Sequence, residues 1–281
     1  MNEMGHLERQ RSRFWRSGRA ITGLAILGFL VFAAAFAPWL APHDPYEQNL
    51  QARRQPPSDQ HPLGLDELGR DNLSRLLYGA RLSLLVGVTS VAIAVTFGGL
   101  LGALAGYLGG WLDSAIMSLT DVMQAFPTLL LAIAVIVVLG PGLTNAMIAV
   151  AIAAIPTYAR LTRMGVLRAK ALDYVVAARA IGAPRSRLLW RHILPATLVP
   201  ILAQATLGVG TAILEVTGLG FLGLAAQPPT PEWGAMISQG RGAVFAAPHI
   251  ILFPGIAIML MVLAFNLLGD GLQELLDAHS A

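Results

Sequence analysis

The 281-residue sequence contains no cysteine, which excludes disulfides, thiolate zinc sites and cysteine nucleophiles. It has a single lysine, Lys170, and that residue is followed by Ala171. The phosphate-cradling G-x-x-x-x-G-K-[ST] loop is therefore absent, so no catalytic residues are expected and any linked ATP hydrolysis falls to a partner. Charge is scarce: 12% of residues are Asp, Glu, Lys or Arg, against about a quarter in soluble domains. Paired ionisable groups within the apolar runs are also missing, Glu215 being the lone clear case. Self-sufficient channels, secondary carriers and membrane-embedded enzymes usually need such pairs.

What is present is apolar. More than half of the residues are hydrophobic and the mean hydropathy is +0.63. The net charge of +3 does not point to nucleic acid, because the basic residues cluster beside apolar runs, a pattern that orients a chain in a membrane. Residues 1–19 form a basic tail, with Arg9, Arg11, Arg13, Arg16 and Arg19 against Glu3 and Glu8. The uncharged run 20–42 is long enough to cross a hydrocarbon core of about 30 Å. Ala35-Phe36-Ala37 has the small-x-small pattern of a signal-peptide cut, but the run exceeds a typical signal core and Pro38 would follow the cut directly. A retained anchor with a cytoplasmic amino terminus is expected.

Residues 43–81 then lie outside, with six acids and five arginines, and their prolines argue for an irregular path ending in an amphipathic lead-in. In that lead-in Arg70, Asp71 and Arg81 stay at the headgroups. His43, Asp44, Asp59 and His61 fit no metal-ligand spacing and read as exposed loop residues, so no metal is expected. The second span is 82–111, where Gly98, Gly102 and Gly106 share one face suited to close helix contact. Further spans are expected at 117–139, 143–159, 196–223 and 248–268. Arg160, Arg163, Arg168 and Lys170 mark the inner exit of the fourth. Glu215 lies inside the fifth, where facing lipid costs at least ~2.5 kcal/mol; it should face protein or a water-filled path. The acidic Asp270, Glu274 and Asp277 precede a short tail at 278–281. Six spans put both termini inside.

One polar island, 167–195, interrupts the apolar sequence. Leu167, Ala171, Tyr174, Ala178 and Ile181 recur at helical steps. Gly182 suits a helix end and Pro184 the first turn of the next helix, which Pro195 closes. The pattern is a short helix, a Gly-Ala-Pro elbow and a second short helix. A basic loop obeying the positive-inside rule accounts for the arginines, but not for the glycine and proline spacing.

Ala177-Ala178, Gly182 and Ile193-Leu194-Pro195 at this spacing resemble the EAA loop of bacterial ABC importer membrane subunits. Val176 stands where that family has an acid, and His192 where isoleucine is common. The stretches His61-Pro62-Leu63-Gly64-Leu65-Asp66 to Arg81 and Gly218 to Gly234 are similar to the di/oligopeptide and nickel branch, in particular the second permease of the pair. Asn266-Leu267-Leu268-Gly269-Asp270-Gly271 matches the branch, as does the Ala125-Phe126-Pro127 bend, with Ser118 where relatives often carry arginine.

The resemblance implies an all-α membrane protein of the type I importer fold, with six transmembrane helices and a cytoplasmic coupling loop within a core domain of 82–277. It implies a multi-pass subunit of the bacterial inner membrane that imports dipeptides or oligopeptides; nickel chelates or glutathione are the alternative cargo. ATPase coupling would rest on Tyr174, Ala177, Ala178, Arg179, Gly182, Ile193, Leu194 and Pro195. Glu215 and Pro127 are candidates for the translocation path or for helix bracing. Implied partners are a homologous permease, two ATPase subunits that hold ATP and Mg, an extracytoplasmic binding protein, and membrane lipid. No cofactor is expected on this chain itself.

Overall fold

The computed structural model describes residues 18–277; most of the expected tail 1–19, and all of 278–281, lie outside the described residues. Helix α1 spans Gly18–Ala35 and is followed by a helical turn, Ala37–Leu40. Gly18 and Arg19 thus belong to the first helix rather than to the tail. After an irregular segment come α2, Asn72–Leu108, α3, Gly110–Gln124, α4, Thr128–Leu139, and α5, Leu143–Lys170. A short α6, Asp173–Ala180, leads through an elbow to α7, Leu194–Phe221. The small α8, Trp233–Gly240, precedes the last helix, α9, His249–Asp277.

Five of these helices are long and apolar enough to cross a membrane by themselves. The expected third span, 117–139, is instead two half-helices, α3 and α4, meeting at 96°. Pro127 is the reason: it has no N–H for the helical ladder and forces the preceding residue out of the helical region, so α3 ends at Gln124. Six spans result when this bent pair counts as one. The fourth and sixth spans also run further than hydropathy alone indicates. Helix α5 continues through its arginines to Lys170, and α9 carries Asp270 and Glu274 as further helical turns rather than as a loose tail.

The amphipathic lead-in is likewise corrected. Helix α2 starts at Asn72, with Asp71 Oδ2 accepting from the Ser74 N–H at 2.8 Å, and runs unbroken for 37 residues. At 1.5 Å per residue that is about 55 Å, far more than a bilayer core, so both its ends project beyond it. Arg70 and Asp71 are buried, not held at headgroups.

Residues 43–71 fold over one end of the bundle, here the lid end; residues 167–195 occupy the other, the elbow end. Among the long helices, α2 and α5 make the closest approach. A methyl placed on Gly98 would meet the Ile155 carbonyl oxygen at 2.6 Å, and one on Gly106 the Arg163 carbonyl oxygen at 3.0 Å. Small residues here bring two backbones into van der Waals contact, the main attraction available between helices in lipid. Helix α1 packs on α9, where Gly23 faces Ala264 and Leu267 and Gly271 faces Ala20. An Arg19–Glu274 pair at 2.9 Å joins the ends of these two helices on one side.

Candidate functional site

The elbow is built on its own small apolar core. Ala103 from α2, Val166 and Ala169 from α5, Val175 from α6, and Leu188 and Ile193 beyond the elbow are buried together. Polar contacts fasten the same elements. Lys170 Nζ donates to the carbonyls of Gly106 and Tyr107 at 3.1 and 3.0 Å, and Tyr107 Oη donates to the Arg185 carbonyl at 3.0 Å. Tyr174 Oη donates to the His192 carbonyl at 3.0 Å, tying α6 to the chain beyond the elbow.

This arrangement divides the expected coupling residues. Ala177 and Arg179 are exposed on α6, and so is Tyr174 at 48%. Ala178 is half-buried against the small core, Ile193 is fully buried in it and Leu194 packs beside it. Gly182 has φ +84°, and nothing lies within 4 Å of where its Cβ would be. Its glycine is demanded by backbone conformation, not by crowding. The Ala183 N–H closes the turn onto the Ala178 carbonyl at 3.1 Å.

Two expectations fail here. Leu167 and Ala171 do not share a helix with Tyr174, because the chain breaks at Leu172 between α5 and α6. The buried position on α6 is Val175, which the periodicity missed, while Ile181 stands 87% exposed past its end. Nor does Pro195 close a helix. A turn of π type over Leu188–Ile193 runs from the short helix Arg185–Arg187 straight into α7, and Pro195 sits in the first turn of α7, where no N–H is needed. The second half of the elbow is thus continuous with a spanning helix.

Between α2, the α3–α4 bend, α5 and α7 lies a cavity of about 340 Å³. Ser90, Gln124, Thr157, Tyr158, Gln204, Thr211 and Glu215 bring polar groups to it. Glu215 is thus among the residues that line this cavity. Pro127 does not line this cavity, although its neighbours Phe126 and Thr128 do; its part is to set the bend. Below the bend, Asp113 of α3 accepts two bonds from Arg163 of α5, at 2.5 and 2.6 Å, and Asp121 pairs with Arg160. Two of the arginines that mark the helix exit, Arg160 and Arg163, are thus paired with the acids that mark the helix entry.

The lid end is held by charge. Arg70 and Arg75, both fully buried, share the Asp66 carboxylate at 2.6 and 3.4 Å. Arg70 Nη2 reaches Gln239 Oε1 at 2.6 Å, and Arg75 Nη1 donates to the Pro45 and Pro229 carbonyls. Glu232 caps α8 by accepting from the Gly234 and Ala235 N–H groups, each at 2.8 Å. Burial pushes its carboxyl up, and those two donors oppose the shift. Asp44 and Asp59 are exposed as expected, but His43 and His61 are half-buried with ring centroids 4.5 Å apart. The prolines between them turn the segment back on itself instead of keeping the rings apart.

Residues 98–280 match the family model described as binding-protein-dependent transport system inner membrane component, and residues 8–57 match that of the N-terminal TM domain of oligopeptide transport permease C. The chain is 50% identical to the dipeptide transport system permease protein DppC of Alkalihalophilus pseudofirmus over 92% of this chain and 85% of that protein. It is 48% identical to the di/tripeptide permease DppC of Pseudomonas aeruginosa, over 94% and 90%. With the glutathione transport system permease protein GsiD of Escherichia coli O157:H7 the identity is 49%, over 94% and 88%. In fold, it is similar to a chain of the inward-facing MetNI methionine ABC transporter, with TM-score 0.59 at 18% identity over 72% of this chain and 96% of that one. A family match across well over half of the chain, on a helical bundle of this architecture, makes it a member of the binding-protein-dependent transport system inner membrane components: a multi-pass permease subunit of an ABC importer with the type I fold.

Proposed function

We propose that this chain is one of two permease halves of an ATP-driven importer of short peptides, dipeptides foremost. Near-full-length identity of 50% to a dipeptide permease carries the reading. In this reading the elbow and both termini are cytoplasmic, as the arginines at 160, 163, 168, 179, 185, 187 and 191 favour. The anchor is 20–42, the outer loop 43–81 and the core 82–277. A binding protein delivers cargo at the lid end, and two ATPases bind ATP and Mg beneath the elbow. This family membership replaces the reading as a self-sufficient channel or secondary carrier.

Within that frame Tyr174, Ala177 and Arg179 meet the ATPase. Ala178, Ile193 and Leu194 anchor them, Gly182 sets their angle, and Pro195 starts the helix that carries the movement inward. Glu215 lines the path. Two ATPases closing on ATP would then turn the elbow, its small core and α7 as one body.

Reconstitution tests the assignment. Proteoliposomes holding the two permeases and the ATPases should take up a labelled dipeptide only with ATP and the binding protein, and uptake without either would reject it. Single cysteines replacing Ser58 and Ser186, in a chain with no other cysteine, test orientation. An impermeant thiol reagent should label the first from outside in sealed cells; labelling of the second would reverse the topology. A glutathione importer is the second reading, supported by the 49% identity to GsiD. Competition between unlabelled glutathione and the dipeptide separates the two cargoes. The nickel-chelate alternative has no counterpart among the relatives named above.

A further inference from the structure

The lid end carries a cluster that solute import leaves unused. One ring nitrogen each from His43 and His61 and one carboxylate oxygen of Asp71 lie within 4.8 Å of one another. His61 Nδ1 and Asp71 Oδ1 are 2.9 Å apart, and the two imidazoles lie tilted by 37°. A tetrahedral ion with bonds of about 2.0–2.2 Å holds its ligands about 3.3–3.5 Å apart. Each separation is therefore within about 1.5 Å of coordinating geometry.

Each ligand is positioned without help from an ion. The His43 backbone N–H donates to Ser74 Oγ at 3.1 Å, and the His61 backbone N–H donates to Ser58 Oγ at 3.1 Å. Asp71 Oδ2 accepts from the Ser74 N–H and Oδ1 accepts from His61 Nδ1–H, a proton that an ion taken by that nitrogen would displace. The Gln60 carbonyl accepts from His43 Nε2 at 3.0 Å, which fixes that tautomer with the lone pair on Nδ1. Such outer partners orient ligating histidines and raise their basicity. A cavity of about 160 Å³ adjoins the three residues and is also lined by Asp44 and Glu47, leaving room for a bound water and adding negative potential.

We propose that His43, His61 and Asp71 form a site for a divalent transition-metal ion of the zinc or nickel class. Two imidazoles and one carboxylate suit such borderline ions, whereas calcium and magnesium take all-oxygen shells. The ligands come from three places in the chain: just after the first helix, within the loop, and at the cap of α2. An ion bound there clasps the anchor segment and the loop to the outer end of a helix that runs the full depth of the bundle. The site is independent of the cargo and does not rest on the assignment of peptides.

The test uses the assembled complex in detergent, without a histidine tag and stripped by a chelator. Zinc chloride is titrated by calorimetry, and zinc is counted by elemental analysis after desalting. Wild type should hold one more equivalent of zinc per permease chain than the His43→Ala/His61→Ala double variant, with magnesium failing to compete. Zinc should also raise the melting temperature of wild type by at least about 2 °C, and not that of the double variant. Asp71→Asn keeps a capping side chain while removing the charge. It should weaken zinc at least tenfold with assembly intact, and it decides the matter should the double variant fail to assemble. Equal zinc content and affinity in wild type and in whichever of these variants assemble would overturn the site.

Discussion

The two ends of the bundle are held together by opposite means. At the elbow end, side chains such as Val166, Val175, Leu188 and Ile193 form a dry apolar knot, and polar side chains such as Lys170 and Tyr174 tie it to backbone carbonyls. At the lid end the comparable positions are taken by the buried Arg70, Arg75 and Asp66, with the Pro45 and Pro229 carbonyls accepting from one nitrogen of Arg75. Close-packed apolar contacts transmit a push with little compression. They suit the proposed role of α6, moving as one body with α7. Buried ion pairs are less useful for stability than for fixing a single arrangement, since their desolvation offsets most of their attraction. They suit a segment with almost no regular structure, where register has to be specified by something other than a helix.

The largest expected effect breaks the lid side of this contrast. Asp66→Ala leaves two buried guanidinium groups without their shared carboxylate and should cost about 3–5 kcal/mol. Detergent-solubilised protein should lose its melting transition or aggregate, and an unchanged melting temperature would mean that the network is not what orders the lid. Gly182→Val attacks the elbow side. The positive dihedral costs a non-glycine residue roughly 1–2 kcal/mol, more for a branched one, and no neighbour is crowded. Insertion should survive while ATPase co-purification and uptake fall together; retention of both would remove the coupling role from the loop.

Glu215→Leu touches neither end. Uptake in the same membranes should fall about tenfold, equivalent to ~1.4 kcal/mol, with membrane insertion unchanged. Wild-type uptake would take this carboxylate out of the path. The mildest change is Val176→Glu, at a position 51% exposed on α6. Its effect on stability should stay within about 0.5 kcal/mol, as for surface positions generally. A loss of ATPase binding would show that the groove beneath accepts only an apolar residue here.

Much of the bundle is legible in hydropathy. The uncharged runs locate every continuous span, because a segment without charge or polar side chains has no other stable place. The Gly98, Gly102, Gly106 row announces the tight α2–α5 contact for the same local reason: four-residue steps stack on one helix face. Gly182 is equally readable, since its positive dihedral belongs to the backbone. What periodicity could not give is the inward face of α6. The break at Leu172 resets the helical phase, and Val175, not Tyr174, turns out to be the anchor.

Composition and order along the chain were enough to determine a membrane bundle and its elbow, because each depends on local chemistry: charge, glycine, proline. The tertiary structure alone decided which charges are buried and with whom. Asp66 meets Arg75, His43 meets His61 and Asp113 meets Arg163 only after the chain has folded back on itself. The attraction between such groups depends on distance and on the water excluded around them. A linear sequence specifies neither.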